Sequence, residues 1–158
     1  MNYLGIDCGM RKLHCVLLDE NRQWLKHFIY TSKEKESLDA SFLIAHNFQK
    51  DMEKLKTPML ALIETPIYLQ NAHTSFGIAA VAFKAELVLQ QLYVPILRVD
   101  NKRWKKWVVG KGNCTKLEIK EFVEKQWGEN KETSIQDLCD AACLALYGIK
   151  LRGGQIKP

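Results

Sequence analysis

Residues 3–30, YLGIDCGMRKLHCVLLDENRQWLKHFIY, decide the fold. Tyr3 to Asp7 is short and apolar and runs into Gly9, the pattern of a buried strand ending in a turn. Leu13 to Asp19 reads as a second strand. Gln23 to Tyr30 reads as a third, with Trp24, Lys26 and Phe28 alternating against Leu25, His27 and Ile29. The linker Glu20-Asn21-Arg22 is short enough for a hairpin. Three antiparallel strands therefore open the protein.

A helix follows in the reading. Ser32 is its expected N-cap, and Leu38, Phe42, Ala45, Met52 and Leu55 share one face until Thr57-Pro58 ends it. Met59 to Glu64 is a continuous apolar run closing on an acid, as expected of a strand buried on both faces. A long helix is predicted from about Asn71 to Leu92. It is apolar almost all round and holds Gly77, Ala79, Ala80, Ala82 and Ala85, so it needs cover from the sheet and from a second subunit. Val94 to Val99 is a fifth strand. Thr115 with Glu118 forms a capping box for a helix to about Trp127, and Ser134 with Asp137 is expected to cap a last helix to about Leu151, before Gly153-Gly154. The order βββαβαβ, then at least two helices, makes a five-stranded mixed α/β sheet with helices on both faces.

The 158 residues suit one domain, 1–158. A hydrophobic share of 47% and a charged share of 26% exclude wholesale disorder. Twenty-three basic against 18 acidic residues leave a net charge of +5, a mild pointer to a polyanionic partner. Asp7 and Arg11 interrupt any signal-peptide pattern. The most apolar stretch, Ala72 to Leu92, carries His73, Lys84, Glu86, Gln90 and Gln91, so a buried helix is expected and no membrane span. Cys8, Cys15, Cys114, Cys139 and Cys143 are odd in number, scattered and free of any C-x-x-C, which speaks against a disulfide framework or zinc site and for a reducing cytoplasm.

The acids carry the chemistry. Asp7 and Glu64 each end a predicted strand, where an α/β sheet opens its crevice. Asp137 and Asp140 lie three apart on the last helix and project from nearly the same face. If that helix crosses the ends of strands one and four, four carboxylates converge. Their repulsion calls for divalent cations, and hard oxygen ligands suit magnesium or manganese. Two such ions can activate water and stabilise the leaving oxygen of a phosphodiester. Each acid also has a plain structural reading: Asp137 as a capping acid, Asp140 as a surface charge, Asp7 as a turn residue. Spacing alone leaves both readings open.

Four short motifs are in register with a known pattern: Leu4-Gly5-Ile6-Asp7-x-Gly9, Ala61-Leu62-Ile63-Glu64, Val108-Val109-Gly110-x-Gly112-x-x-x-Lys116 and Asp137-x-x-Asp140-Ala141. With Asn71-Ala72, the ordered set resembles the RuvC family of Holliday-junction resolvases across nearly the whole chain. The resemblance implies an RNase H-like fold and a homodimer packed through the 71–92 helix. It also implies cutting of four-way DNA junctions by paired symmetric nicks that leave 5′-phosphate and 3′-hydroxyl ends. By the same resemblance Asp7, Glu64, Asp137 and Asp140 are the catalytic acids, binding two Mg2+ ions for which Mn2+ substitutes. Lys116 is implied as the active-site lysine on the scissile phosphate. Cys8 stands where the family usually has Pro. Ile67 stands where an aromatic stacks at the junction centre, with Tyr68 next door as the candidate substitute, and Thr65-Pro66 precedes them. These departures suit a divergent, phage-type member.

Residues 101–116 contain Lys102, Arg103, Lys105, Lys106, Lys111 and Lys116 with no acid, and Trp104 and Trp107 interleave. Clustered Lys and Arg suit phosphate contacts, and the aromatics either anchor the segment or stack on bases. The bland reading is a solvated face with tryptophans packed inward. Lys150, Arg152 and Lys157 offer a tail contact. His14, His27, His46 and His73 show no mutual ligand spacing, and Cys139 and Cys143 read as small core residues.

Other functions fit less well. Gly5-Ile6-Asp7-Cys8-Gly9 also resembles the first phosphate motif of actin-like ATPases, but a second domain and an adenosine segment are missing. An RNA–DNA hybrid hydrolase of the RNase H type carries its Glu on the first helix. A non-enzymatic scaffold gains nothing from four intact acids. The remaining alternative is a branched-DNA-binding protein with another nuclease specificity: flap, fork or RNA–DNA hybrid.

Overall fold

A computed structural model describes residues 1–55, 57–66 and 71–156. The elements are β1 (Asn2–Gly9), β2 (Lys12–Leu18), β3 (Trp24–Thr31), α1 (Ser37–Met52), β4 (Met59–Glu64), α2 (Ala72–Gln91), β5 (Ile96–Val99), α3 (Asn101–Val108), α4 (Lys116–Trp127) and α5 (Gln136–Arg152). The sheet order is β3-β2-β1-β4-β5. The first three strands pair antiparallel, and β1–β4 and β4–β5 pair parallel. The expected five-stranded mixed α/β sheet is present.

The period-2 alternation of strands assigns each side chain to a face. Leu4, Ile6, Leu13, Cys15, Ala61 and Ile63 point into one core, under α1 and α2. Tyr3, Val16, Leu18 and Leu62 point into the other, with Trp104, Ile119 and Leu138 of α3, α4 and α5. In β3 the alternation breaks. Leu17 pairs with Lys26 and Leu18 with Trp24, which leaves Leu25 unpaired as a bulge. The extra residue turns Trp24 toward the α5 side while Phe28 and Tyr30 stay on the other.

α5 lies close on the sheet because its contact positions are small. Ala141, Ala142 and Ala145 are fully buried, and a Cβ on Gly5 of β1 would stand 1.8 Å from the Ala141 carbonyl oxygen. Only glycine admits a backbone approach of this kind.

Three expectations need correction, and one element is added. α1 starts at Ser37 behind Glu36, which makes no side-chain cap, whereas Ser32 Oγ accepts a local bond from Glu34 N (3.1 Å). Its buried face is Ala40, Ile44, Phe48 and Met52, so Leu38 and Phe42 turn outward, 45% and 59% exposed. α5 starts after Ile135 without a side-chain cap, and Ser134 Oγ bonds the Lys131 carbonyl instead. Finally, the basic stretch after β5 is partly a helix, α3, capped by Asp100, whose carboxylate accepts from Arg103 N (3.1 Å).

α2 starts where expected, with Asn71 Oδ1 accepting from Thr74 N (3.2 Å). By length and composition it could cross a membrane, but Val81, Ala82, Ala85, Val88 and Leu89 are buried in the core. Its buried Glu86 pairs with Arg98 of β5 through both carboxylate oxygens, tying the helix to the sheet edge.

Candidate active site

The same alternation builds the site. Asp7 follows Ile6 on β1 and Glu64 follows Ile63 on β4, and Ile6 and Ile63 are register partners, so both acids reach the same edge of the sheet on the α5 face. The tight turn at residues 10–11 sets Asp7 opposite His14 and Gly9 opposite Lys12, which adds two β2 side chains to that face. The first turn of α5 brings Asp137 and Asp140 over them. The four acids predicted from the sequence meet in one place, since Asp140, Asp137 and Glu64 all act electrostatically on Asp7.

Each acid has its own setting. Asn101 Nδ2 and Trp104 Nε1 donate to the two oxygens of Glu64, both at 2.8 Å. Trp104 is fully buried, so it acts as a rigid holder of that carboxylate. Asp137 Oδ2 accepts from Lys12 Nζ at 2.5 Å, with His14 Nδ1 3.7 Å away. Gln136 Nε2 donates to Asp140 Oδ1 at 3.3 Å.

Burial, and then the charges of Asp140, Asp137 and Glu64, push Asp7 well above the usual carboxylate range, with Lys12 opposing. Burial pushes Asp140 up to about 6, while Gln136 and Lys105 pull the other way. Burial also lowers His14, against the pull of Asp137. These carboxyls are crowded in the absence of a cation. Asp140 holds its proton up to about pH 6 when folded and only to its ordinary 3.8 when unfolded. The folded state therefore binds more protons in that window, and stability falls as pH rises through it. Without divalent ions stability is expected to fall by roughly 3 kcal/mol between about pH 3 and 7, most steeply between about pH 4 and 6, and the melting temperature falls with it. A divalent cation at pH 7 should restore it. A melting curve flat across that range, read by scanning calorimetry in chelator, would contradict the crowding.

The residues fit a metal. One ligand atom from each of Asp7, His14 and Asp137 lies within 4.8 Å of the others, a spacing that one cation bridges. Glu64 and Asp140 stand outside that group of three, near enough to act electrostatically on Asp7.

The basic residues divide. On α3, Asn101, Trp104 and Val108 turn inward, so Lys102, Arg103 and Lys106 form the outward face and Lys105 stands beside Asp140. Trp104 is therefore an anchor, whereas Trp107 is 40% exposed, with the Lys106 ammonium over its ring. Lys111 pairs with Glu118. Lys116 opens α4 in an exposed position, and among the described residues no hydrogen bond or ion pair joins it to the acids. Of the tail cations, Lys150 Nζ donates to the Trp107 carbonyl (3.1 Å). Ile67, Tyr68 and Lys157 lie outside the described residues.

Sequence reasoning missed Lys12, His14, Asn101 and Trp104 as site residues. A two-residue turn after Gly9 pairs residue 7 with residue 14, so His14 was legible in the hairpin. Asn101 and Trp104 depend on the helix after β5, which charge composition concealed.

No family model matches the chain. Among solved structures, it superposes on RuvC of Thermus thermophilus with a TM-score of 0.80 at 17% identity, over 100% of this chain and 99% of that one. The same protein in complex with Holliday junction substrate gives 0.82 at 18% identity over the same shares. The yeast mitochondrial Holliday junction resolvase gives 0.63 at 15% identity, over 96% of this chain and 80% of that one. At such identities the agreement is one of architecture: the chain has the RNase H-like fold of RuvC, along the full length of both.

Proposed function

We propose that this protein is a metal-dependent endonuclease that resolves four-way DNA junctions by two symmetric nicks. The observation that carries the reading is the meeting of Asp7, Glu64, Asp137 and Asp140 at one sheet edge of a RuvC fold. Bound there, a pair of Mg2+ or Mn2+ ions would activate water and stabilise the leaving oxygen of a phosphodiester. The chain's own residues do the rest. Asp7 and Asp140 ionise fully only when a cation offsets their crowding. Asn101 and Trp104 fix the Glu64 carboxylate in one orientation. Lys102, Arg103, Lys105 and Lys106 bind the phosphodiester strand beside the acids, and Lys116 contacts the scissile phosphate.

Two nicks call for two sites, and the outer face of α2 supports a homodimer. Phe76, Phe83 and Leu87 are 56%, 59% and 53% exposed there, next to the exposed Leu38 and Phe42 of α1. An apolar strip of this kind marks an association surface. Size measurement by light scattering is expected to give twice 18.2 kDa.

The test is cleavage of end-labelled linear, forked and four-way DNA with and without magnesium. Paired nicks confined to the four-way substrate, and only with metal, are expected. Binding should fall by about a thousandfold between 50 and 200 mM salt if six or more phosphates are neutralised. Cleavage of forks, flaps or hybrids with four-way DNA left intact would replace this reading by the other nuclease specificity.

A further inference from the structure

His14 is an imidazole where an all-oxygen metal site needs none. It lies on β2, directly across from Asp7 in the ladder. The residue is only 6% exposed, and its Nδ1 is buried without a hydrogen-bond partner. Buried ring nitrogens are ordinarily satisfied, because leaving one bare costs about 1–3 kcal/mol. This one points at the carboxylates: Nδ1 is 3.7 Å from Asp137 Oδ2, too long for a hydrogen bond. Asp7, His14 and Asp137 each offer an atom within 4.8 Å of the other two. The ammonium of Lys12 sits on that same Asp137 oxygen, a positive charge already held at one of the three groups. Its side chain is 42% exposed and can leave for water.

We infer that His14 is a metal ligand, joining Asp7 and Asp137 through Nδ1 and displacing Lys12 from Asp137. The inference rests on the metal-dependent reading above and deepens it by naming the ion. A mixed nitrogen and carboxylate set suits a transition divalent cation such as Mn2+ better than Mg2+, which takes oxygen ligands and keeps its waters. The displaced Lys12 ammonium is then available to a phosphate of the bound strand.

Mn2+ alone, added to the full chain without DNA, is the probe. Pulsed electron paramagnetic resonance on the wild-type protein should show coupling from a directly bonded 14N, and the coupling should change to the 15N pattern when histidine is supplied as 15N. His14→Ala should abolish it, which separates His14 from His27, His46 and His73. By titration calorimetry that variant should lose at least about tenfold in Mn2+ affinity, and less for Mg2+. Wild-type protein that binds Mn2+ through Asp7 with no nitrogen coupling overturns the inference and leaves the nuclease reading standing, as does coupling that survives in His14→Ala. Absence of Mn2+ binding, or binding that Asp7→Asn leaves unchanged, overturns both. The wild-type spectrum decides the matter even if the variant fails to fold.

Discussion

Asp7→Asn is expected to abolish junction cleavage and, in metal-free buffer, to make the protein more stable. The two effects have one origin. Asp7 is crowded by Asp140, Asp137 and Glu64 in a buried setting, so its ionised form opposes folding at neutral pH. Asparagine keeps the shape and removes the charge. The variant should therefore melt at a higher temperature than the wild type at pH 7 in chelator. It should also lose most of the stabilisation that divalent ions give the wild type. Metal assistance to phosphodiester cleavage supplies several kcal/mol, so the rate should fall by at least about a thousandfold. Junction binding should persist, because the basic face of α3 is untouched. Calorimetry and single-turnover cleavage on one preparation check both halves. A variant less stable than the wild type in chelator, or one that still cuts, would show that the carboxylate serves the fold and not the ion.

Gly5→Ala tests how the acids are brought together. The added methyl would meet the Ala141 carbonyl oxygen at 1.8 Å and the Ala145 nitrogen at 2.6 Å. Both are backbone atoms of α5, so the helix itself must move, and Asp137 and Asp140 move with it. Overpacking of this kind costs about 3 kcal/mol or more, a melting-temperature loss of roughly 6–12 °C. A shift of about 1 Å in the acids should lower cleavage by about a hundredfold in the molecules that remain folded. Gly148→Ala is the control. Its added methyl would meet only side-chain atoms, the Leu62 methyls at 2.7 and 2.8 Å and the Tyr3 ring at 3.0 Å, and so leaves the backbone of α5 in place at a smaller cost. Thermal melts that rank the two variants equally would contradict the account of why α5 lies so close.

The strands were legible because their apolar runs are short and punctuated, and because Glu64 closes β4, although β1 runs on past Asp7 to Gly9 where its apolar run alone ends it at Asp7. The phase of α1 was not. Leu38, Phe42 and Ala45 look like a core stripe, yet the buried residues are Ala40, Ile44 and Phe48, and the more conspicuous stripe lies beside the exposed strip of α2. Apolar periodicity shows that a face is to be covered and not by what. Both misplaced caps involve Ser, whose hydroxyl bonds locally in turns as readily as at a helix start. The acids were visible as strand ends and a helix repeat. The groups that set their behaviour were hidden for different reasons. Lys12 and His14 needed the hairpin register, while Trp104 looked like one more aromatic in a basic run until its indole was found on Glu64.

The most direct test of the metal centre is anomalous diffraction at the manganese edge from a crystal soaked in Mn2+. The account predicts anomalous density enclosed by Asp7, Glu64, Asp137 and Asp140, with Lys12 moved off Asp137. A soaked crystal with the four carboxylates ordered and no anomalous density among them would contradict it.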